Sequence, residues 1–177
     1  MRAVGASARR RSILVAAVAA PALTACSPAA VQRFADLATA RAAVLGLPAA
    51  RLRNEGAWTL PQVLHHLAQS IEFSLSGYPS PKSALFQRTA GAAAWALFEA
   101  RGAMTHGLGE PIPGAPALPA DATLDGGVQR LLAALDRFAD HAGPLQPHFA
   151  YGVLDKAAYT RAHLMHLANH WQAFVPA

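Results

Sequence analysis

Histidine side chains near the C-terminal end give this 177-residue chain its clearest chemical signal. The last predicted helix runs from a cap at Asp155 to about Phe174. At about 100° per residue, four of its side chains fall within an arc of about 60°: Tyr159, His163, His166 and His170. Two histidines four residues apart on one helix can ligate a single metal ion, as helical histidine pairs do in zinc enzymes. The pattern therefore predicts a metal site on a helical scaffold.

An earlier predicted helix carries two further histidines. His65 shares a helical face with Gln69 and Glu72, and we expect this face to be solvated. His66 lies at the edge of the apolar stripe and is the better ligand candidate, while His65 would point outward or support a ligand. A shared metal requires the rings to lie within about 8 Å of one another, because its bonds to nitrogen are about 2.1 Å long. A structural alternative stays open, in which the histidines are hydrogen-bonded residues at the edge of the core.

The remaining histidines lie in loops or at predicted helix ends. His148 lies in a loop before the last helix, where it would either cover the mouth of the site or cap a helix end. Tyr159 or His148 would be the proton donor of a catalytic site. His106 and His141 end the third and fourth predicted helices, where a histidine interacts favourably with the negative end of the helix dipole. We therefore assign structural roles to His106 and His141.

The first 25 residues have the pattern of an export signal. The run 10–14, Arg-Arg-Ser-Ile-Leu, resembles a twin-arginine signal, and the apolar stretch 15–23 is shorter than the roughly 20 residues that span a bilayer. Residues 23–26, Leu-Thr-Ala-Cys, resemble a lipobox, and Cys26 is the only cysteine. We expect Cys26 to be lipidated and residues 26–177 to form one domain, anchored to the membrane on the periplasmic side of the cell envelope. An ordinary secretory signal is the alternative.

The basic charge of the chain belongs largely to this signal. It holds four of the fifteen basic residues and none of the ten acidic ones. The mature part therefore has eleven basic residues against ten acidic ones, which gives no indication of nucleic-acid binding.

Five helices are predicted in the mature chain, over residues 29–45, 60–76, 83–104, 124–142 and 155–174. Gly46 and Pro48 would end the first. Thr59 and Gln62 form a capping box before the second. Residues 107–119 are rich in Gly and Pro and predict a long connection without helix. Because no alternating strand pattern is present, we predict an all-α helical bundle.

Two segments resemble an uncharacterised bacterial family of the DinB/YfiT-like superfamily. The opening segment, 58–77, begins Trp-Thr-Leu-Pro-Gln and contains the two adjacent histidines; the closing one combines 148–152, His-Phe-Ala-Tyr-Gly, with 166–174. The resemblance implies a four-helix bundle with a long crossover connection and extra short helical pieces. It also implies a divalent metal bound by three histidines, which match His66, His166 and His170. His163 has no counterpart, and Asn169 stands where relatives often have a further histidine.

Three imidazole ligands would leave coordination positions open, which is typical of a catalytic metal site. Since characterised members of the superfamily are often thiol-dependent transferases or isomerases, the resemblance implies a metal-dependent hydrolase or thiol transferase. The metal would be Zn, Ni or Fe, and the substrate an unidentified small molecule. The alternative is a non-catalytic envelope lipoprotein that binds metal or a small ligand. Bundles of this kind often pair, so a homodimer is compatible with the pattern.

Overall fold

A computed structural model describes Met1 and residues 33–177 of the chain. The predicted signal, the lipobox and Cys26 lie outside the described residues. The described part is mainly helical, as predicted, with one small sheet. Its elements are α1 (Leu37–Ala50), β1 (Leu52–Asn54), α2 (Leu60–Ser76), α3 (Ala84–Phe86), a π-helical turn (Gln87–Gly91), α4 (Ala92–Arg101), α5 (Leu124–Asp140), α6 (Lys156–Trp171) and β2 (Phe174–Pro176). None of the described helices is long and apolar enough to cross a membrane.

Four of these helices pack around one core, because α1 and α2 each contact both α5 and α6. The core contains fully buried side chains from all four, among them Val44, Leu67, Leu131 and Leu167. Each contributes roughly 1.5–3 kcal/mol by leaving water. At Gly127 the backbone of α5 approaches α2 closely, since a Cβ there would lie 3.1 Å from the carbonyl oxygen of Pro61.

Helix α2 has the bounds that the sequence predicts. The backbone N–H of Thr59 donates to Gln62 Oε1 at 3.0 Å, and Thr59 Oγ1 accepts from the Gln62 N–H at 3.4 Å. This reciprocal capping box satisfies two N–H groups that the helix leaves free. The helix ends before Gly77, whose φ of +104° favours glycine. These caps fix the start and end of the helix that carries His66.

The predicted bounds of the first helix, 29–45, are wrong at both ends. Residues 29–32 lie outside the described residues. Among the described ones the helix begins at Leu37, because Asp36 caps it by accepting from the Thr39 N–H at 2.7 Å. It continues through Gly46 and Pro48 to Ala50 because Leu47 packs into the core, where it is 1% exposed. Tertiary packing therefore outweighs both helix-breaking residues.

The third predicted helix, 83–104, is divided and shorter than expected. Ser83 caps α3, the π-helical turn follows, and α4 ends at Arg101 because Gly102 takes a left-handed φ of +59°. Within the π-helical turn lies Gly91, which is buried against the loop before α6. A Cβ on Gly91 would lie 2.0 Å from the carbonyl oxygen of Ala150, so only glycine allows this contact.

The long connection between α4 and α5, 102–123, is held against the bundle by three side-chain amides. Gln62 Nε2 donates to the carbonyl of Pro119 at 3.2 Å, and Gln69 Nε2 donates to that of Pro116 at 3.0 Å. From α6, Asn169 Nδ2 donates to the carbonyl of His106 at 3.4 Å. The connection is free of helix, as predicted, and these bonds place it over α2 and α6. They also make Gln69 buried, so the expectation of a solvated face is wrong there.

The two-stranded sheet was not predicted. Strands β1 and β2 pair antiparallel, with Arg53 opposite Val175, and join the segment after α1 to the chain end. Each strand has only three residues, too few to show an alternating pattern. The sheet also takes Phe174 out of α6, whose predicted cap at Asp155 is confirmed.

Candidate metal centre

Helices α2 and α6 bring three histidines together inside the bundle. His66 comes from α2, and His166 and His170 come from successive turns of α6. The ring of His66 lies 5.1 Å from that of His166 and 5.0 Å from that of His170, centroid to centroid. One ligating nitrogen from each ring lies within 4.8 Å of the others. The three side chains are 1–8% exposed, so the cluster is shielded from bulk water.

The hydrogen bonding of these rings is incomplete. His66 Nε2 lies 3.2 Å from His166 Nε2, and His166 Nδ1 lies 3.2 Å from Ser70 Oγ. Within the described part of the chain, His66 Nδ1 and His170 Nε2 are buried and have no hydrogen-bond partner. Each such buried polar atom costs about 1–3 kcal/mol. A metal ion bonded to His170 Nε2 would remove this cost for that atom.

The spacing of the nitrogens fits a metal ion. At bonds of about 2.1 Å, two nitrogens that are 3.2 Å apart subtend an angle of about 100° at the ion, between the octahedral and tetrahedral values. The widest separation is at most 4.8 Å. In a tetrahedral site the nitrogens would be about 3.4 Å apart, so the most distant pair would need to approach by about 1.4 Å at most. Imidazole nitrogen is a suitable donor for Zn, Ni and Fe.

Burial keeps the three imidazoles neutral. It lowers the pKa of His66 to about 4 and that of His170 to about 3. The pKa of His166 lies well below its usual value, mainly because of burial and secondarily because of the neighbouring histidines. Metal ions bind the neutral form of imidazole, so these three side chains do not have to release a proton before they bind a metal near pH 7.

His106 is a fourth histidine near this centre, and its predicted place at a helix end is wrong. Its ring centroid lies 4.9 Å from that of His166 and 5.3 Å from that of His170. Because α4 ends at Arg101, His106 lies in the long connection and not at a helix end. The bond from Asn169 to its backbone carbonyl brings it there. No local pattern signals this position, since it depends on how the connection folds back.

A cavity of about 280 Å³ opens beside the cluster. Five histidines line it, together with Lys82, Glu110, Tyr151 and a group of apolar residues; the histidines are His66, His106, His148, His163 and His166. A neighbouring cavity of about 420 Å³ shares His66 and lies under the long connection. The first cavity therefore gives a small molecule access to two of the three histidines, His66 and His166.

Residues 29–177 match the model of a family described as a protein of unknown function, DUF1569. The chain belongs to this family. The matched range includes every histidine of the cluster and all residues that line the first cavity. Neither a comparison with curated proteins nor one with solved structures finds a match.

His148, a predicted proton donor, is part of the cavity wall. It is buried in the loop before α6, and its Nδ1 accepts from the backbone N–H groups of Ala150 and Tyr151 at 3.1 and 3.2 Å. Its ring stacks on Tyr151 with centroids 4.2 Å apart. Burial lowers the pKa of His148 to about 3, so the side chain is neutral near pH 7.

The other predicted donor, Tyr159, makes contacts that favour a structural role. The side chain is fully buried, its hydroxyl donates to the carbonyl of Gln146 at 2.6 Å, and it is not part of the cavity wall. Its ring stacks on His163, whose Nε2 lies 3.2 Å from Ser74 Oγ. Of the two candidate donors, only His148 reaches the cavity.

His65 lies away from the cluster. Its Nδ1 is 3.2 Å from a guanidinium nitrogen of Arg130, which forms an ion pair with Glu72 at 2.8 Å. Burial and the charge of Arg130 lower the pKa of His65. The choice of His66 over its neighbour therefore agrees with the geometry. His141, in contrast, follows α5 directly, in agreement with its predicted structural role.

Proposed function

We propose that the protein binds one divalent transition metal ion through His66, His166 and His170, in a bundle of the DinB/YfiT-like type. The observation that carries this proposal is the convergence of three buried imidazole nitrogens from two helices within 4.8 Å. The partnerless Nε2 of His170 supports it, because an ion would occupy that lone pair. The arrangement of α1, α2, α5 and α6, with a long connection between α4 and α5, supports the type of bundle.

The leading function is a metal-dependent hydrolase or thiol transferase that acts on a small molecule. A bound Zn²⁺ or Ni²⁺ would lower the pKa of a water ligand towards about 7 or bind a thiolate. The chain itself would hold and orient the ion. With Nε2 of His166 bound to the metal, Nδ1–H of that ring would donate to Ser70 Oγ, which lies 3.2 Å away. The adjoining cavity would receive the substrate.

Metal analysis of the full chain, produced without a chelating tag, tests the proposal. After reconstitution with Zn²⁺, Ni²⁺ or Fe²⁺ in turn, we expect about one equivalent of at least one of them, the stoichiometry of a single three-histidine site. Less than a tenth of an equivalent of every metal would overturn it.

Storage or buffering of metal is the second candidate, and the position of His106 favours it. A fourth imidazole from this loop would close the coordination shell, which is typical of non-catalytic sites. Absorption spectroscopy of the cobalt-substituted protein separates the two functions. Four protein nitrogens with no response to added azide would favour storage, whereas a spectrum that shifts with azide would favour catalysis.

We also propose that the chain is a lipid-anchored envelope protein, on the basis of residues 1–26. Expression with a labelled fatty acid should mark the wild-type protein but not the Cys26→Ser variant. Equal labelling of both would refute the lipid anchor and leave the metal proposal intact.

A further inference from the structure

We infer that His148 is a fixed hydrogen-bond donor for the ligand of the cavity, and that this ligand is a small, mostly apolar molecule with an acceptor oxygen. The inference deepens the proposed function and rests on it for the reaction that the ligand undergoes. In this inference His148 does not transfer a proton to the ligand; its N–H group donates a hydrogen bond and keeps its hydrogen.

The hydrogen bonds of the loop determine which ring nitrogen of His148 carries the proton. Nδ1 accepts from two backbone N–H groups, those of Ala150 and Tyr151, and therefore presents its lone pair to them. A neutral imidazole has one N–H, so the hydrogen is on Nε2. Burial, with a smaller effect from His163, lowers the pKa of His148 to about 3, which keeps the ring neutral over the physiological range.

Nε2 of this ring makes no hydrogen bond within the described residues. It is also not one of the fully buried side-chain atoms without a partner there, which are His66 Nδ1 and His170 Nε2, so Nε2 keeps some accessible surface. The ring itself belongs to the cavity wall. A bound molecule with an oxygen at this point would complete the hydrogen bonding of His148.

The donor is held rigidly. The backbone of His148 exchanges two hydrogen bonds with Gly152, at 2.7 and 3.1 Å, and Gly152 has a φ of +76° that favours glycine. Gln87 Nε2 donates to the carbonyl of His148 at 3.4 Å. Tyr151 stacks almost parallel to the ring, at 4°. A donor that is oriented before binding stabilises charge on an acceptor oxygen at little reorganisation cost.

The rest of the wall determines the kind of ligand. Apolar side chains dominate it, among them Phe98, Met104, Ile112 and Phe149. The volume of about 280 Å³ lies just below the usual range for ligand sites, about 300–1,000 Å³, so the ligand must be small. A small carbonyl compound such as a ketone, ester or amide has the required combination of apolar surface and acceptor oxygen.

The first test determines the tautomer directly. A two-bond nitrogen–proton correlation spectrum of the isotope-labelled full chain, with His148→Asn for assignment, should show the proton of His148 on Nε2 at pH 7. A proton on Nδ1, or on both nitrogens, would overturn the inference without reference to any ligand.

The second test measures ligand preference with two probes of nearly equal shape, acetophenone and α-methylstyrene, which differ by an oxygen in place of a methylene group. We expect the wild type to bind acetophenone about five- to tenfold more tightly, the ratio that one neutral hydrogen bond supports. His148→Gln keeps an N–H near the position of Nε2 and should retain the preference. His148→Asn keeps an acceptor near the position of Nδ1, which preserves the loop, and should lose it.

Metal content is measured on the same samples, so that a failure of the metal site can be distinguished from a failure of the donor role of His148. Equal affinity of the wild type for both probes at full metal content would overturn the role of His148 alone. Retention of the preference by His148→Asn would do the same. A preference that is present in protein unable to take up metal would support the donor site and overturn only the proposed metal function.

Discussion

The adjacent pair His65 and His66 allows a sharp test of the metal site. Both residues are on α2, but only His66 points into the cluster, while His65 contacts Arg130. His66→Ala should abolish metal binding, because it leaves two of the three ligands. His65→Ala should leave metal binding unchanged and is the matched control.

The structure also predicts similar stability for the two variants without metal. Truncation of a buried side chain such as His66, which packs against Trp58 at 4.8 Å, costs roughly 3 kcal/mol. It also removes the partnerless Nδ1, which returns about 2 kcal/mol, but it deprives His166 Nε2 of its contact at 3.2 Å, which costs about 1 kcal/mol, so the net loss is about 2 kcal/mol. Removal of the hydrogen bond between His65 and Arg130 costs about 1 kcal/mol.

Added metal should raise the Tm of His65→Ala but not that of His66→Ala. A ligand at a thousand times its Kd stabilises the folded state by about 4 kcal/mol, which raises Tm by roughly 10 °C for a domain of this size. Calorimetry with and without the metal should show this rise for the wild type and His65→Ala, and none for His66→Ala. A full rise in His66→Ala, or loss of the rise in both variants, would refute the assignment of the ligands.

Three further predictions concern residues around the cluster. Ser70→Ala should weaken metal binding about 10- to 100-fold in a competition titration, because it removes the contact that orients His166; unchanged affinity would argue against that contact. Burial lowers the pKa of His163 to about 3, below the value of about 6.5 in the unfolded chain. Between these pH values the unfolded state binds more protons than the folded state, so the free energy of unfolding falls as the pH decreases. In His163→Gln the slope of unfolding free energy against pH should be smaller by about 1.4 kcal/mol per pH unit, and an unchanged slope in urea titrations would contradict this. Gly91→Ala should destabilise the protein by several kcal/mol or displace the loop that contains His148. Gly46→Ala is the control: a Cβ there meets no atom within 4 Å, so this substitution should stabilise the protein by up to about 1 kcal/mol in the same titrations. Equal effects of the two substitutions would refute the close contact at Gly91.

Features that depend on local interactions could be predicted from the sequence. The capping box at Thr59 and the glycine at Gly77 determine where α2 begins and ends, and each signal involves only neighbouring residues. The sequence therefore predicts the bounds of α2 correctly. The cap at Asp155 likewise fixes the start of α6. Helical phase at 3.6 residues per turn then distinguishes His66 from His65, because one side of α2 faces the core.

Features that depend on contacts between distant segments could not be predicted in this way. The end of α1 follows from the burial of Leu47, which prolongs the helix past Gly46 and Pro48. The place of His106 follows from a hydrogen bond to Asn169, 63 residues along the chain. Asn169 departs from the residue that relatives often have, but the sequence gives no sign that its side chain holds the connection that carries His106.

The small sheet has a mechanical consequence for the cluster. β2 begins four residues after His170, and its pairing with β1 is extended by hydrogen bonds from Glu55 to Ala173 and from Ala177 to Arg51. The chain end is therefore fastened to the segment that leads into α2, so the last turn of α6 cannot slide or unwind independently of the helix that carries His66. Three residue pairs thus hold the rings of His66 and His170 in register, although these residues are far apart in the sequence and no side chain of the sheet belongs to the cluster.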